Sequence, residues 1–156
     1  MWTTPERIEM NAADRTAKTA TDAVDNHAAG LSASSISAVL CSADLERSQE
    51  FYEQQVGLKL SAETIPNHLV FEAADGATLL VYGRPGPNQA DHTQVRFWST
   101  DVERDVRELV ARGVVFEDYD FPKLKTIEHV ATTAGVGKSA WFKDPDGNTL
   151  ALFQSE

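Results

Sequence analysis

The chain has 156 residues, of which 42% are hydrophobic, and this is enough for one domain with a buried core. Its 24 acidic and 14 basic residues give a formal net charge of -10, which argues against binding to nucleic acid or to an anionic membrane surface. No apolar stretch approaches the roughly 20 residues of a membrane-spanning helix. The N-terminus lacks the apolar segment of a signal peptide, and the lone cysteine, Cys41, cannot form an internal disulfide. These features predict a cytoplasmic protein.

Residues 1–33 differ in composition from the rest of the chain. They are rich in Ala, Thr and Asp and poor in large apolar side chains. The stretch Thr4-Pro5-Glu6 is typical of a helix start, because Thr caps the free N–H groups and Pro is tolerated in the first turn. We therefore predict an N-terminal helical extension over residues 1–33, followed by one domain over residues 34–156.

Two later stretches repeat one pattern of Asp, an aliphatic residue, Glu and Arg, and each ends on Gly after about two further helical turns. Asp44 and Asp101 suit the N-cap of a helix, where a carboxylate accepts hydrogen bonds from backbone N–H groups. Gly57 and Gly113 suit the left-handed position that ends a helix. The two predicted helices are ADLERSQEFYEQQVG (43–57) and TDVERDVRELVARG (100–113).

Apolar, strand-like segments surround both helices in the same order. One strand precedes each helix, and a second strand and a hairpin follow it. Asp75-Gly76 and Asp146-Gly147 supply the hairpin turns. The sequence thus predicts an α+β fold of two tandem strand–helix–strand–strand–strand modules, at about 35–84 and 92–155. The second module is longer, which indicates an insertion, DFPKLKTIEHVATTAGVG, at residues 120–137.

The paired modules, the two helix starts and the closing FKDPDGNTLAL resemble the vicinal oxygen chelate superfamily over about residues 35–155. This group includes glyoxalase I, bleomycin-resistance and fosfomycin-resistance proteins, and extradiol dioxygenases. The resemblance implies two βαβββ modules whose sheets form a half-open barrel around a concave pocket. It also implies that enzymes of the group hold a divalent metal there with His, Glu or Gln side chains.

The metal-ligand positions that the resemblance implies lie on the first and last strands of each module. They correspond to Ser37, Leu80, Gln94 and Ala151. Leu and Ala side chains cannot bind a metal, and a divalent metal usually needs three or more protein ligands. We therefore expect neither a metal nor another cofactor. The alternative is a displaced metal site, in which a shifted register brings His92 beside Gln94.

The first strand of the second module shows a clear alternation. Val95 and Phe97 are expected to face the core, and the residues between them to face the concave side. An arginine there offers a planar fork for a carboxylate or phosphate, and a tryptophan offers a stacking surface. The alternative for the arginine is an ion pair with an acidic neighbour such as Glu72. The predicted ligand-binding residues are Gln94, Arg96, Trp98, Ser37 and Tyr82.

The insertion contributes the other candidates. Long connections in compact domains often serve as lids or binding loops. Tyr119, Phe121 and His129 are therefore candidates to close over the mouth of the pocket. A surface excursion or a subunit contact is the alternative.

Three hypotheses about function follow. The favoured one is a metal-free protein that binds a small organic molecule, as bleomycin-resistance relatives do by sequestration, usually as homodimers. The second is a glyoxalase-like or dioxygenase-like enzyme, either with a displaced metal or without one. The third is a module with a vestigial pocket that acts in assembly.

Overall fold

A computed structural model describes residues 35–156, and the helical extension predicted at 1–33 lies outside this range. The division into an extension and a domain therefore stays a prediction. Residues Ile36–Glu156 form one compact unit. None of the helices in the described range is long and apolar enough to cross a membrane.

The first module forms a four-stranded sheet with one helix. Its helix begins after Asp44, whose carboxylate accepts from the Arg47 N–H, and ends at Gly57 with a φ of 85°. The strand order is β1-β4-β3-β2, with β1 parallel to β4 and the other pairs antiparallel. The elements are β1 (Ala38–Ser42), α1 (Leu45–Glu50, continued by a π-helical segment at Phe51–Val56), β2 (Lys59–Leu60), β3 (His68–Glu72) and β4 (Thr78–Gly83).

The second module repeats this order around a larger sheet. Asp101 caps its helix by accepting from the Arg104 N–H, and Gly113 with a φ of 96° follows the helix. The strand order is β5-β11-β10-β9-β8-β7, and β6 pairs separately with β10. The elements are β5 (Thr93–Trp98), α2 (Val102–Ala111), β6 (Phe116–Glu117), β7 (Asp120–Phe121), β8 (Leu124–Ile127), β9 (Val130–Thr133), β10 (Gly137–Lys143) and β11 (Thr149–Ser155). The predicted α+β architecture of two tandem modules is confirmed.

The insertion is not an irregular loop, because its strands β7, β8 and β9 extend the second sheet beyond β10. Of its candidate lid residues, Tyr119 packs edge-on against Trp141, with ring centres 5.5 Å apart. Phe121 stacks on Tyr119, with 6.0 Å between ring centres. His129 instead stacks on the buried Phe116 at 5.9 Å, which places it on the core side of the sheet. The structure therefore does not group His129 with Tyr119 and Phe121, and closure of these residues over the pocket mouth stays a prediction.

The hydrophobic core lies between the helices and one face of each sheet. Tyr52, Phe71, Phe142 and Leu150 are among its most deeply buried side chains. Helix α2 buries Val102, Val106 and Leu109, whose spacing places them on one face of the helix. Val95 and Phe97 pack against this core. The residues of β5 that alternate with Val95 and Phe97 therefore lie on the opposite, concave face.

The turn between β10 and β11 is closed by its own aspartate. Asp144 Oδ1 accepts from the backbone N–H groups of Asp146 and Asn148 at 3.0 and 2.9 Å. Asp144 Oδ2 accepts from the Tyr52 hydroxyl at 2.7 Å, so the π-helical segment of the first module is attached to the same residue. Burial, and then the charge of Asp144, raise the pKa of Tyr52, which therefore remains a hydrogen-bond donor.

The second aspartate of the turn joins the two modules. Asp146 Oδ2 accepts from the Ser42 hydroxyl at 2.7 Å, and Oδ1 accepts from the Ala43 N–H at 2.8 Å. The guanidinium of Arg47 lies 3.3 Å from Oδ1. Asn148 adds a bond from Nδ2 to the Cys41 carbonyl at 2.9 Å. We call this set of bonds the intermodule clamp, and it explains why an acidic turn occupies a buried position.

The clamp predicts acid sensitivity. Burial alone would raise the pKa of Asp146, but the Ala43 N–H, the Ser42 hydroxyl and the Arg47 guanidinium outweigh it and hold the pKa below its ordinary value. The ionised group therefore stabilises the fold fully above an unfolded pKa of about 3.9, and this contribution is lost as pH falls through the lower folded pKa. In urea titrations, we expect the free energy of unfolding to fall below about pH 4 more steeply in the native protein than in Asp146→Asn. Parallel pH profiles for the two proteins would contradict this.

Candidate functional site

A cavity of about 420 Å³ lies on the concave face of the second sheet. Three adjacent strands build it. The middle strand, β11, is parallel to β5 and antiparallel to β10. Ala151 forms its floor, paired with Arg96 on one side and Trp141 on the other. Its lining includes Gln94, Arg96, Ser139, Trp141, Ala151 and Phe153.

Arg96 is the cationic group of this cavity. Its guanidinium carbon lies 4.5 Å from the ring centre of Trp98 and 4.8 Å from that of Phe153. The two rings meet edge-to-face at 5.2 Å, so they hold the arginine through cation–π contacts. Within residues 35–156, Arg96 forms no ion pair with a carboxylate. Glu72, the predicted alternative partner, instead pairs with Lys59 at 3.1 Å, so that alternative is wrong.

Gln94 borders the cavity, but its amide is held by the protein. Its Oε1 accepts from Asn88 Nδ2 at 2.8 Å and from the Thr149 N–H at 3.1 Å. Its Nε2 donates to Asn148 Oδ1 at 3.3 Å. These bonds fasten β5 to the turn of the intermodule clamp. The geometry thus gives Gln94 a positioning role, and contact with a ligand stays a prediction.

The structure does not bring all the predicted ligand-binding residues into this cavity. Trp98 is 68% exposed and flanks Arg96. Ser37 lies just before β1, with its hydroxyl 2.6 Å from that of Thr78. Tyr82 lies on β4 beside His68, with ring centres 6.4 Å apart. Tyr82 therefore lies on the first sheet and Ser37 beside its edge, whereas the cavity is lined by the second sheet.

The residues present do not fit the metal site of the resemblance. Ser37, Leu80, Gln94 and Ala151 offer one hydroxyl and one amide, and the amide oxygen already accepts two hydrogen bonds. Across residues 35–156, no three His, Cys, Asp or Glu side chains lie close enough to hold a metal ion. A divalent metal bound by His92 and Gln94 would lack the further protein ligands that such ions usually require.

A second cavity of about 360 Å³ adjoins the first and shares Thr93 and Trp141 with it. Glu117 Oε2 accepts from the Tyr119 hydroxyl at 2.7 Å, and Lys143 Nζ lies 3.4 Å from Glu117 Oε1. Burial, and then the bond to Glu117, raise the pKa of Tyr119 to about 12, so its phenol keeps its proton at neutral pH. His92 lines this second cavity.

Trp141 and Glu117 line the two cavities but are not among the residues predicted from the sequence. Trp141 had a usable signal, because it alternates with Ala140 and Phe142, which are fully buried on the core side of β10. Glu117 had no such signal in the sequence, because β6 is two residues long and is too short to show an alternation of buried and exposed residues.

Comparisons with known proteins agree with this architecture. The model of the Glyoxalase/Bleomycin resistance protein/Dioxygenase superfamily matches residues 26–152. No functionally curated protein matches the sequence.

Solved structures share the fold at low sequence identity. TnmS3, an antibiotic binding protein from Streptomyces sp. CB03234, is 24% identical with a TM-score of 0.56, over 80% of this chain and 98% of that one. Lactoylglutathione lyase from Agrobacterium tumefaciens is 17% identical with a TM-score of 0.56, over 78% and 93%. A superfamily member from Sphaerobacter thermophilus DSM 20745 is 20% identical with a TM-score of 0.60, over 76% and 94%. The two-module fold and the family match together show that this chain belongs to the glyoxalase/bleomycin resistance protein/dioxygenase superfamily.

Proposed function

We propose that this protein binds a flat organic anion on the concave face of its second sheet, and that binding needs no metal. The observation that carries the proposal is the guanidinium of Arg96, held between the rings of Trp98 and Phe153 and paired with no carboxylate of residues 35–156. A guanidinium presents a planar fork that matches a carboxylate or phosphate. Because the rings already orient it, little conformational entropy is lost when an anion binds.

The lining of the cavity supports binding over catalysis. Apart from Arg96, the described residues that line it include no His, Asp, Glu, Lys or Cys, so no general acid or base faces its interior. Its volume of about 420 Å³ falls in the range of small-molecule sites. TnmS3, which shares the fold, is named for antibiotic binding. Sequestration by a cytoplasmic homodimer is part of this proposal.

The test is to titrate the protein with biphenyl-4-carboxylate and with its neutral carboxamide, and to measure the two dissociation constants by calorimetry. Arg96→Met keeps the apolar length of the side chain and removes its charge. We expect this change to weaken binding of the carboxylate by about tenfold to thirtyfold and to change binding of the carboxamide little. Arg107→Met removes an exposed arginine from α2 and serves as the matched control.

Two results would overturn the proposal. One is an equal loss of carboxylate affinity in Arg96→Met and Arg107→Met. The other is no binding of any aryl carboxylate to the native protein, with no change in tryptophan emission. Trp98 and Trp141, two of the three tryptophans, lie at or beside the cavity and would report occupancy.

A further inference from the structure

A row of four residues crosses the second sheet in register. Arg96 on β5 pairs with Ala151 on β11, Ala151 with Trp141 on β10, and Trp141 with Glu117 on β6. Neighbouring strands lie about 4.8 Å apart, so the Cα atoms of Arg96 and Glu117 are separated by about 14 Å. The first three residues line the first cavity, and Trp141 and Glu117 line the second. The row therefore runs along one continuous concave surface.

The two ends of this row carry opposite charge. At one end, Arg96 is the cation of the first cavity. At the other, the second cavity holds two carboxylates, Asp91 and Glu117, and one lysine, Lys143. Asp91 forms no ion pair with any residue from 35 to 156. The two carboxylates of the second cavity therefore outnumber its one lysine.

Glu117 is held in place, and its carboxylate can accept further hydrogen bonds. It receives one hydrogen bond from Tyr119, and Lys143 approaches its other oxygen at 3.4 Å. A carboxylate offers about four lone-pair positions, so further donors can bind. Tyr119 is itself fixed, because its N–H donates to Thr126 Oγ1 of the insertion at 2.9 Å and its ring packs on Trp141. The insertion thus supports the acidic end of the row.

We propose that the ligand is a bipolar molecule, with an anionic group at Arg96, a protonated amine at Glu117 and Asp91, and a flat apolar spacer over Ala151 and Trp141. This inference rests on the proposed function and adds a second subsite to it. The opposed charges set the orientation of the ligand, and the separation of about 14 Å between the Cα atoms of Arg96 and Glu117 suits a spacer of about two aromatic rings. Like charge at the wrong end disfavours the reversed orientation.

The experiment compares two probes that differ only in the amine, 4′-(aminomethyl)biphenyl-4-carboxylate and 4′-methylbiphenyl-4-carboxylate. We expect the native protein to bind the amine-bearing probe about tenfold more tightly. In Glu117→Gln, the ratio of the two dissociation constants should fall to about two. Glu72→Gln is the matched control, because Glu72 is also a strand carboxylate paired with a lysine, at 3.1 Å, and lies on the first sheet. Its ratio should stay near ten.

The outcomes separate this inference from the proposed function. If the methyl probe binds through Arg96 and the amine adds nothing, the second subsite is overturned and the proposed function stands. If neither probe binds the native protein, both fail. A preference for the amine that survives in Asp91→Asn/Glu117→Gln, with native melting behaviour, would also overturn the second subsite.

Discussion

Replacing Asp146 with asparagine is expected to lower the free energy of unfolding by about 3 kcal/mol. The Asp146 side chain is fully buried and accepts from the Ser42 hydroxyl and the Ala43 N–H. An amide nitrogen in place of one oxygen cannot accept, and Ser42 cannot reverse its role. The Ser42 hydroxyl oxygen already accepts from the Asp44 N–H at 2.9 Å and from the Ser48 hydroxyl at 2.7 Å.

The same substitution in the other hairpin is the control. Asp75 has a φ of 56°, a conformation that asparagine also tolerates, and it is exposed. Asp75→Asn should therefore change the free energy of unfolding by less than about 0.5 kcal/mol. The measurement is urea unfolding at neutral pH, followed by circular dichroism. Equal effects of the two changes would show that the intermodule clamp does not stabilise the domain.

Ala151→Leu is expected to abolish binding of biphenyl-4-carboxylate, with an affinity loss of at least about a hundredfold. Ala151 is 3% exposed and lies in register between Arg96 and Trp141. Its side chain is only a methyl group, and this leaves the first cavity open above it. A leucine there fills the space that the spacer needs, and steric exclusion of this kind exceeds the loss of one ion pair. The new side chain projects into the cavity, so the stability of the fold should change by less than about 1 kcal/mol.

Ala140 provides the contrasting position. It lies on β10, is fully buried and belongs to the core on the opposite face of the same sheet. Ala140→Leu should overpack that core and lower the free energy of unfolding by about 1–3 kcal/mol. Calorimetry and thermal melting of both variants distinguish the two faces. If Ala151→Leu still binds the probe with native affinity, the ligand does not lie across Ala151.

Much of the fold was readable from short-range features. Asp44 and Asp101 cap helices through their own side chains, and Gly57 and Gly113 end or follow those helices, because each interaction involves residues close in sequence. The alternation along β5 correctly placed Val95 and Phe97 against the core. A strand alternates with a period of two residues whatever surrounds it, so faces can be read before pairing is known.

The strands of the insertion could not be predicted in this way. Its strands β7 and β8 are two and four residues long, too short for a period to appear, and they form by pairing with one another and with β9. Such segments become strands only where a sheet offers a free edge for pairing. Here β10 offers that edge, and β9 pairs with it. Edge availability is a property of the assembled sheet and leaves no local signal.

Local conformational preference and strand period predict the order of helices and strands in the two modules, the helix ends, the turn positions and the face of β5 on which Arg96 lies, opposite Val95 and Phe97. The contacts between distant residues come from the tertiary structure, in which Asn88 and Asn148 hold Gln94 and Asp146 reaches Ser42 in the other module. It alone brought Arg96, Ala151, Trp141 and Glu117 into one row. Strand register joins residues far apart in the chain, and it is set by the packing of the whole sheet.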